Sequence, residues 1–151
     1  MTDHSAVQVS IETDTDTARA VRHAVNSGLY AYNDRFAGPM ENAILTIAAR
    51  DTGNTLVGGL VAGLQPGWKW MHVDRLWVDE PYRRAGIGRL LLEAAEKEAQ
   101  KHGCLHVGTS TFEFQARGFY EKQGYTVYGV QEDYPVGHRK FLLRKALGVK
   151  G

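Results

Sequence analysis

The chain has 151 residues, enough for one domain with a sizeable core. Its 18 Lys and Arg against 17 Asp and Glu leave a formal net charge of +1, which excludes the basic footprint of a dedicated nucleic-acid binder and an acidic disordered tail. The single cysteine, Cys104, excludes an internal disulfide framework and a cysteine-based metal cluster. No apolar run reaches transmembrane length, and Met1-Thr2-Asp3-His4-Ser5 has neither a basic nor an apolar leader region. A cytoplasmic protein with no membrane partner is expected. Without repeats or linkers, residues 1–151 read as one domain. The 17 glycines, against 4 prolines, need locations before they mean anything.

Thr15 to Ser27 carries Ala18, Val21 and Val25 at helical spacing, with Asp14 or Thr15 as cap and Gly28 as the end. Leu29 to Met40 reads as a short helix and then a loop. Ala43 to Arg50 is a strand, and Asp51-Thr52-Gly53-Asn54 a turn. Thr55 to Leu64, softened by Gly58, Gly59 and Gly63, and Lys69 to Val78 complete an antiparallel meander. The period then changes. Ile87, Leu90, Leu91, Ala94, Ala95 and Ala99 line one helical face, Glu93 pairs with Lys97, and Gly103 is a natural C-cap. Cys104 to Ser110 is a strand and Ala116 to Gln123 a short helix. Tyr125 to Gln131 and Arg139 to Arg144 are the last strands. The order α(α)βββαβαββ predicts a mixed α/β sheet with helices on its faces.

The informative turn runs Val78-Asp79-Glu80-Pro81-Tyr82-Arg83-Arg84-Ala85-Gly86-Ile87-Gly88-Arg89. It joins a strand to the strongest helix. A helix start offers free N–H groups and partial positive charge, so it can hold an anion. Gly86 and Gly88 permit close approach, and Arg83, Arg84 and Arg89 add charge. A diphosphate cradle fits; a plain solvent-exposed helix start fits the turn equally well. A P-loop is excluded because no Lys-Ser or Lys-Thr follows the second Gly. The dinucleotide fingerprint is excluded because Leu91 stands where a third Gly or Ala belongs.

The turn has company. Leu76-Trp77-Val78-Asp79, Arg83-Arg84-Ala85-Gly86-Ile87-Gly88 and Leu90-Leu91 closely resemble the acyl-CoA signature Arg/Gln-x-x-Gly-x-Gly/Ala of the GNAT superfamily of N-acyltransferases. About thirty residues on, Ala116-Arg117-Gly118-Phe119-Tyr120-Glu121-Lys122-Gln123-Gly124-Tyr125 is similar to that superfamily's second motif. Glu132-Asp133-Tyr134-Pro135-Val136-Gly137-His138 resembles a subgroup of small bacterial members. The resemblance implies a mostly antiparallel central sheet, helices on both faces and a splayed parallel strand pair. By position that pair is the strands ending at Val78 and starting at Cys104. It implies acetyl-CoA as co-substrate, its pyrophosphate on the amides from Arg84 to Arg89. Pantetheine would pair with the edge at Leu76 to Val78 like an added strand. A homodimer is common among members and is expected here.

Acyl transfer to an amine requires deprotonation of the amine, an oxyanion donor and a proton for the departing thiolate. By resemblance, Tyr120 is the general acid, since a phenol of reference pKa ~10 donates without being ionised at neutral pH. It could equally be an amphipathic core residue. The backbone N–H of Leu76 is the implied oxyanion donor. For the base, His72 and Asp74 compete with ordered water. Period two places His72, Asp74, Leu76 and Val78 on one face. Counting back from Arg83 puts His72 where some members carry a catalytic carboxylate, and a reference pKa of ~6.5 suits a base. Asp74 could orient His72 or bind the ammonium. Glu113 departs from the Asn that members often carry against pantetheine; Gln115 could substitute.

Blander assignments cover the rest. Trp68, Trp70 and Trp77 read as packing, Trp77 pointing away from Asp74 into the core or an interface. Cys104 reads as a buried small hydrophobe. His23, His102 and His106 have no metal spacing, so no metal is expected. The resemblance implies that Leu29 to Asn42 and Asp133 to His138 wall the acceptor pocket. Their Tyr30, Tyr32, Asp34, Phe36, Glu41, Asp133 and Tyr134 suit a cationic small-molecule or peptide amine. An N-acetyltransferase is therefore expected. Its rivals are an acyl-CoA-binding sensor without turnover and a nucleotide-binding protein using the same turn.

Overall fold

The computed structural model describes residues 6–148, which fall into two compact units, one ending at Pro39 and the other starting at Met40. The first is built on one helix, α1 (Thr15–Ala37). Asp14 caps it, its carboxylate accepting from the Thr17 N–H at 2.9 Å. The two helical pieces expected from the sequence are one. Gly28 lies within the helix at a cost of about 1 kcal/mol, and the apolar stripe of Val21 and Val25 simply continues through Leu29, Tyr32 and Phe36. The stop comes at Gly38, whose φ of 73° is left-handed and whose N–H returns to the Asp34 carbonyl.

The second unit is a six-stranded sheet: β1 (Ala43–Arg50), β2 (Leu56–Gln65), β3 (Trp70–Val78), β4 (His106–Phe112), β5 (Thr126–Glu132) and β6 (Arg139–Ala146). Its spatial order is β1-β2-β3-β4-β6-β5. Every neighbouring pair is antiparallel except β3 with β4. The fourth strand starts two residues later than expected. Cys104 precedes it, buried, with its thiol donating to the Trp70 carbonyl at 3.3 Å.

Helix α2 (Ile87–Lys101) covers β1, β2 and β3. Leu91, Leu92, Ala95 and Ala99 are its buried apolar residues, while Leu90 is exposed. The stripe is therefore rotated from the expected one, with Leu92 in place of Leu90. Glu93 pairs with Arg89 at 3.1 Å instead of with Lys97. The core gathers Leu60, Ala62 and Leu64 of β2, Met71 and Val73 of β3, Val107 and Leu143. Gly58 sets how closely α2 approaches. A Cβ there would lie 3.0 Å from the Trp77 carbonyl and 3.5 Å from both Ile87 and Leu91. Helix α3 (Arg117–Lys122) precedes Gly124, whose φ of 92° turns the chain into β5.

Candidate active site

β3 and β4 pair only from Trp70–His106 to Val73–Thr109. Beyond that point both strands continue, to Val78 and Phe112, without pairing to each other. This is the splay implied by the resemblance, and it opens a cleft of about 1180 Å³. One arm is Asp74 to Val78, the other Thr109 to Thr111, and the starts of α2 and α3 complete the walls. Thr109 closes the apex, its hydroxyl donating to the Val73 carbonyl at 3.0 Å.

The α2 end is built to receive an anion. The helix begins at Gly86 with no side-chain cap and no acid in its first turn, so its leading N–H groups face the cleft unsatisfied by side chains. Gly86 has φ 82°, and Arg84, a non-glycine, has φ 65°. Left-handed residues in such a turn aim successive N–H groups into a concavity. Holding Arg84 there costs on the order of 1–2 kcal/mol, a strain the surrounding turn must impose. Gly88 faces Phe119, where a Cβ would sit 3.4 Å from the ring. Among the described residues, the lining carries Arg75, Arg83, Arg84, Arg89 and Lys122 against one carboxylate, Asp74. Arg89 is partly neutralised by Glu93. These features fit the diphosphate of an acyl-CoA. Arg75 and Lys122 had no motif to mark them, and only the fold brings them in.

Arg83 does something the sequence did not suggest. Its Nε donates to the Val78 carbonyl at 2.9 Å, on the side of β3 away from β2. Asp79 N–H turns the opposite way, donating to Val57 of the preceding segment at 2.8 Å. Backbone groups two residues apart in a pleated strand face alike. The N–H of Leu76 therefore faces the open side of the fork.

Tyr120 lines the cleft yet is 5% exposed. Its ring packs edge-on against Phe119 and Tyr125 at 5.2 and 5.5 Å between centroids. Burial pushes its pKa above the ordinary phenol value, partly countered by a hydrogen bond with the Thr109 side chain. The phenol is thus held neutral beside the apex.

The expected common face for His72, Asp74, Leu76 and Val78 does not form. Val61 pairs with Arg75 but Ala62 with Val73, so Asp74 is an extra residue in a β-bulge. The phase flips there. Leu76 and Val78 pack toward the core, whereas His72 and Asp74 are exposed. Those two are joined, His72 Nδ1 to Asp74 Oδ1, at 3.0 Å. Asp74 lines the cleft and His72 stands behind it. The same flip keeps Trp77 out of the core; it is 48% exposed on the cleft wall.

Of the remaining candidates, Ala85 is outside the lining, while Leu76, Trp77, Val78, Arg83, Arg84, Gly86, Ile87, Gly88 and Arg89 are in it. Glu113 is turned away, bonded to His138 at 2.8 Å. Gln115 lines the cleft, but its side-chain oxygen accepts from the Phe112 N–H at 2.9 Å and shapes the turn into α3. Thr109 was missed because a threonine inside a strand carries no local signal. No group of three or more His, Cys, Asp or Glu suited to a metal occurs among the described residues.

Residues 11–125 match the acetyltransferase (GNAT) family. A blasticidin-S acetyltransferase from Streptomyces morookaense is 43% identical over 112 residues, covering 74% of this chain and 79% of its own length. An acetyltransferase from Agrobacterium fabrum is 37% identical over 106 residues, 70% of this chain and 76% of the relative. The crystal structure of an acetyltransferase from Bacillus cereus superposes with a TM-score of 0.82 at 30% identity, spanning 92% of this chain and 98% of that one. The forked sheet, the uncapped α2 start and these relatives agree: the chain belongs to the GNAT family and is an acetyltransferase.

Proposed function

We propose that this enzyme passes an acetyl group from acetyl-CoA directly to a primary amine in a ternary complex, as one N-acyltransferase domain. The observation that carries this reading is the fork itself: a neutral phenol and an outward-facing amide stand beside the apex of a cleft whose outer end is an uncapped, arginine-rich helix start. When bound, acetyl-CoA supplies an electrophilic thioester carbonyl and a thiolate leaving group.

The chain's own residues supply the rest. The amides from Arg84 to Arg89, with Arg83, Arg84 and Arg89, hold the diphosphate, and the β3 arm from Leu76 to Val78 aligns pantetheine. The Leu76 N–H donates to the oxygen on which negative charge develops, a contact made strongest at the transition state. Tyr120 gives its proton to the thiolate; burial favours the protonated phenol until that moment. Asp74, on the cleft wall, receives the ammonium, and the His72–Asp74 pair or a water it orders accepts the proton the amine sheds. The acceptor is a small-molecule or peptide amine. We take the working assembly to be a homodimer, which sedimentation checks.

Thiol release from acetyl-CoA, measured with a panel of amines, tests the reading. Blasticidin S belongs in the panel because a 43% identical relative carries its name. At least one amine should drive release, and Tyr120→Phe should slow it. Calorimetric CoA binding without release for any amine would instead favour a sensor.

A further inference from the structure

We propose that Phe112, Phe114 and Tyr134 form a stacking platform at the cleft edge that takes a planar ring of the acceptor amine. This rests on the transfer reading above and narrows its substrate to amines carrying a flat, conjugated group.

Three elements build the platform. Phe112 ends β4, Phe114 follows in the loop to α3, and Tyr134 comes from the β5–β6 hairpin. Phe114 lies 5.3 Å from Phe112 at 9° between planes, and Phe112 lies 5.9 Å from Tyr134 at 16°. Near-parallel offset rings present π faces along one direction. Such a surface is held ready rather than buried: Phe114 is 59% and Tyr134 46% exposed. Phe114 also lines the cleft, so the platform is continuous with the reaction site.

The surroundings lock it. His138 meets Phe114 edge-on at 5.1 Å and is itself held by Glu113 at 2.8 Å. The Glu113 N–H donates to the Arg139 carbonyl at 3.0 Å, tying loop to hairpin. Within the hairpin, Gly137 N–H donates to Asp133 at 2.7 Å and Tyr134 N–H to the His138 carbonyl at 3.0 Å. A ligand therefore spends little on ordering the protein. A lone exposed aromatic would need no explanation. Three aligned rings with a rigid backing, beside a cleft, match the way proteins receive flat conjugated groups. The adenine of CoA has the same chemistry. It is attached to the diphosphate, however, and the cradle stands on the β3–α2 arm, across the fork from Phe114.

The test compares benzylamine with cyclohexylmethylamine, equal in reach but different in planarity. Wild type, Phe114→Leu and Phe114→Trp are assayed with acetyl-CoA, with melting curves as fold controls. The aromatic amine should show a KM about tenfold lower with wild type, a difference of about 1.4 kcal/mol. Phe114→Leu should erase the gap, Phe114→Trp should keep it, and the KM for acetyl-CoA should not move. Equal KM values for both amines in wild type, or a gap that survives in Phe114→Leu, overturns the platform. A rise only in the acetyl-CoA KM also overturns it, assigning the rings to adenine. NMR of the aromatic carbons in the CoA-loaded protein decides the matter without turnover. Benzylamine should shift the Phe114 and Tyr134 rings and cyclohexylmethylamine should not; absence of that contrast overturns the platform. Ring-specific shifts without thiol release from any amine would bring down the transfer reading alone.

Discussion

Replacing Tyr120 by phenylalanine removes one oxygen from beside the fork apex and leaves the ring contacts with Phe119 and Tyr125 in place. The cost in stability should be small. The lost hydrogen bond to Thr109 is worth about 1 kcal/mol, and Thr109 keeps its own partner, the Val73 carbonyl at 3.0 Å. No buried polar group is left stranded. With melting temperatures near 2–4 °C per kcal/mol for a chain of this size, the midpoint should fall by only about that much. The kinetic effect should be far larger. A positioned general acid contributes roughly 10²–10⁴ in rate, or about 3–5 kcal/mol of barrier. Steady-state thiol release gives kcat, and circular dichroism melting gives the structural control. The wild-type rate should also persist through pH 10, since burial holds this phenol above its ordinary value. A folded Tyr120→Phe variant with wild-type kcat refutes the assignment, and the proton must then reach the thiolate from elsewhere.

Other expectations follow from the same structure. Gly88→Glu places a carboxylate at an uncapped helix start, where it should stabilise α2 by about 0.3–1 kcal/mol while repelling the diphosphate. Calorimetry should show at least a tenfold loss of CoA affinity with an unchanged or raised melting point; unchanged affinity would put the diphosphate elsewhere. Lys145→Met strips the partner from Glu96, a buried carboxylate paired at 2.9 Å and also bonded by Tyr125 at 3.1 Å. Breaking such a pair costs about 3 kcal/mol, so the melting point should drop by roughly 6–12 °C. Alkaline stability should fall for a related reason. Tyr120 and Tyr125 are both pushed above the ordinary phenol value, Tyr120 chiefly by burial and Tyr125 by burial and then by Glu96. Above about pH 10 the unfolded chain loses protons that the fold retains, so stability, full below that pH, declines by up to about 1.4 kcal/mol per pH unit per tyrosine. Urea titrations of Tyr125→Phe between pH 9 and 11 should show a shallower decline than wild type. A parallel decline would mean that Tyr125 does not contribute.

What could be read from the sequence was local. The arginines and glycines of the α2 start are contiguous, so a turn, a helix dipole and an anion site follow from neighbours along the chain. The meander, the change of period at Ile87 and the glycine stops were legible for the same reason. The misplaced boundary at Gly28 shows the limit: one unfavourable residue does not end a helix whose apolar stripe continues past it, and only Gly38 supplies the left-handed turn that does.

The tertiary structure decided everything that joins distant segments. β6 enters the sheet between β4 and β5, an order no strand spacing reveals. Pairing of β3 with β4 stops at Val73 and Thr109, and that stop creates the cleft. A single extra residue at Asp74 reverses the faces of β3, sending Leu76 and Val78 inward and leaving His72 and Asp74 outside. A bulge has no signature in period two, because it is a break in that period, set by the partner strand. The near-neutral charge stands in the same relation. Composition counted 18 positive against 17 negative side chains, but folding gathers five of the positive ones and one carboxylate around the cleft. Net charge sums over the chain, whereas a ligand answers to the charges within about a Debye length of where it binds.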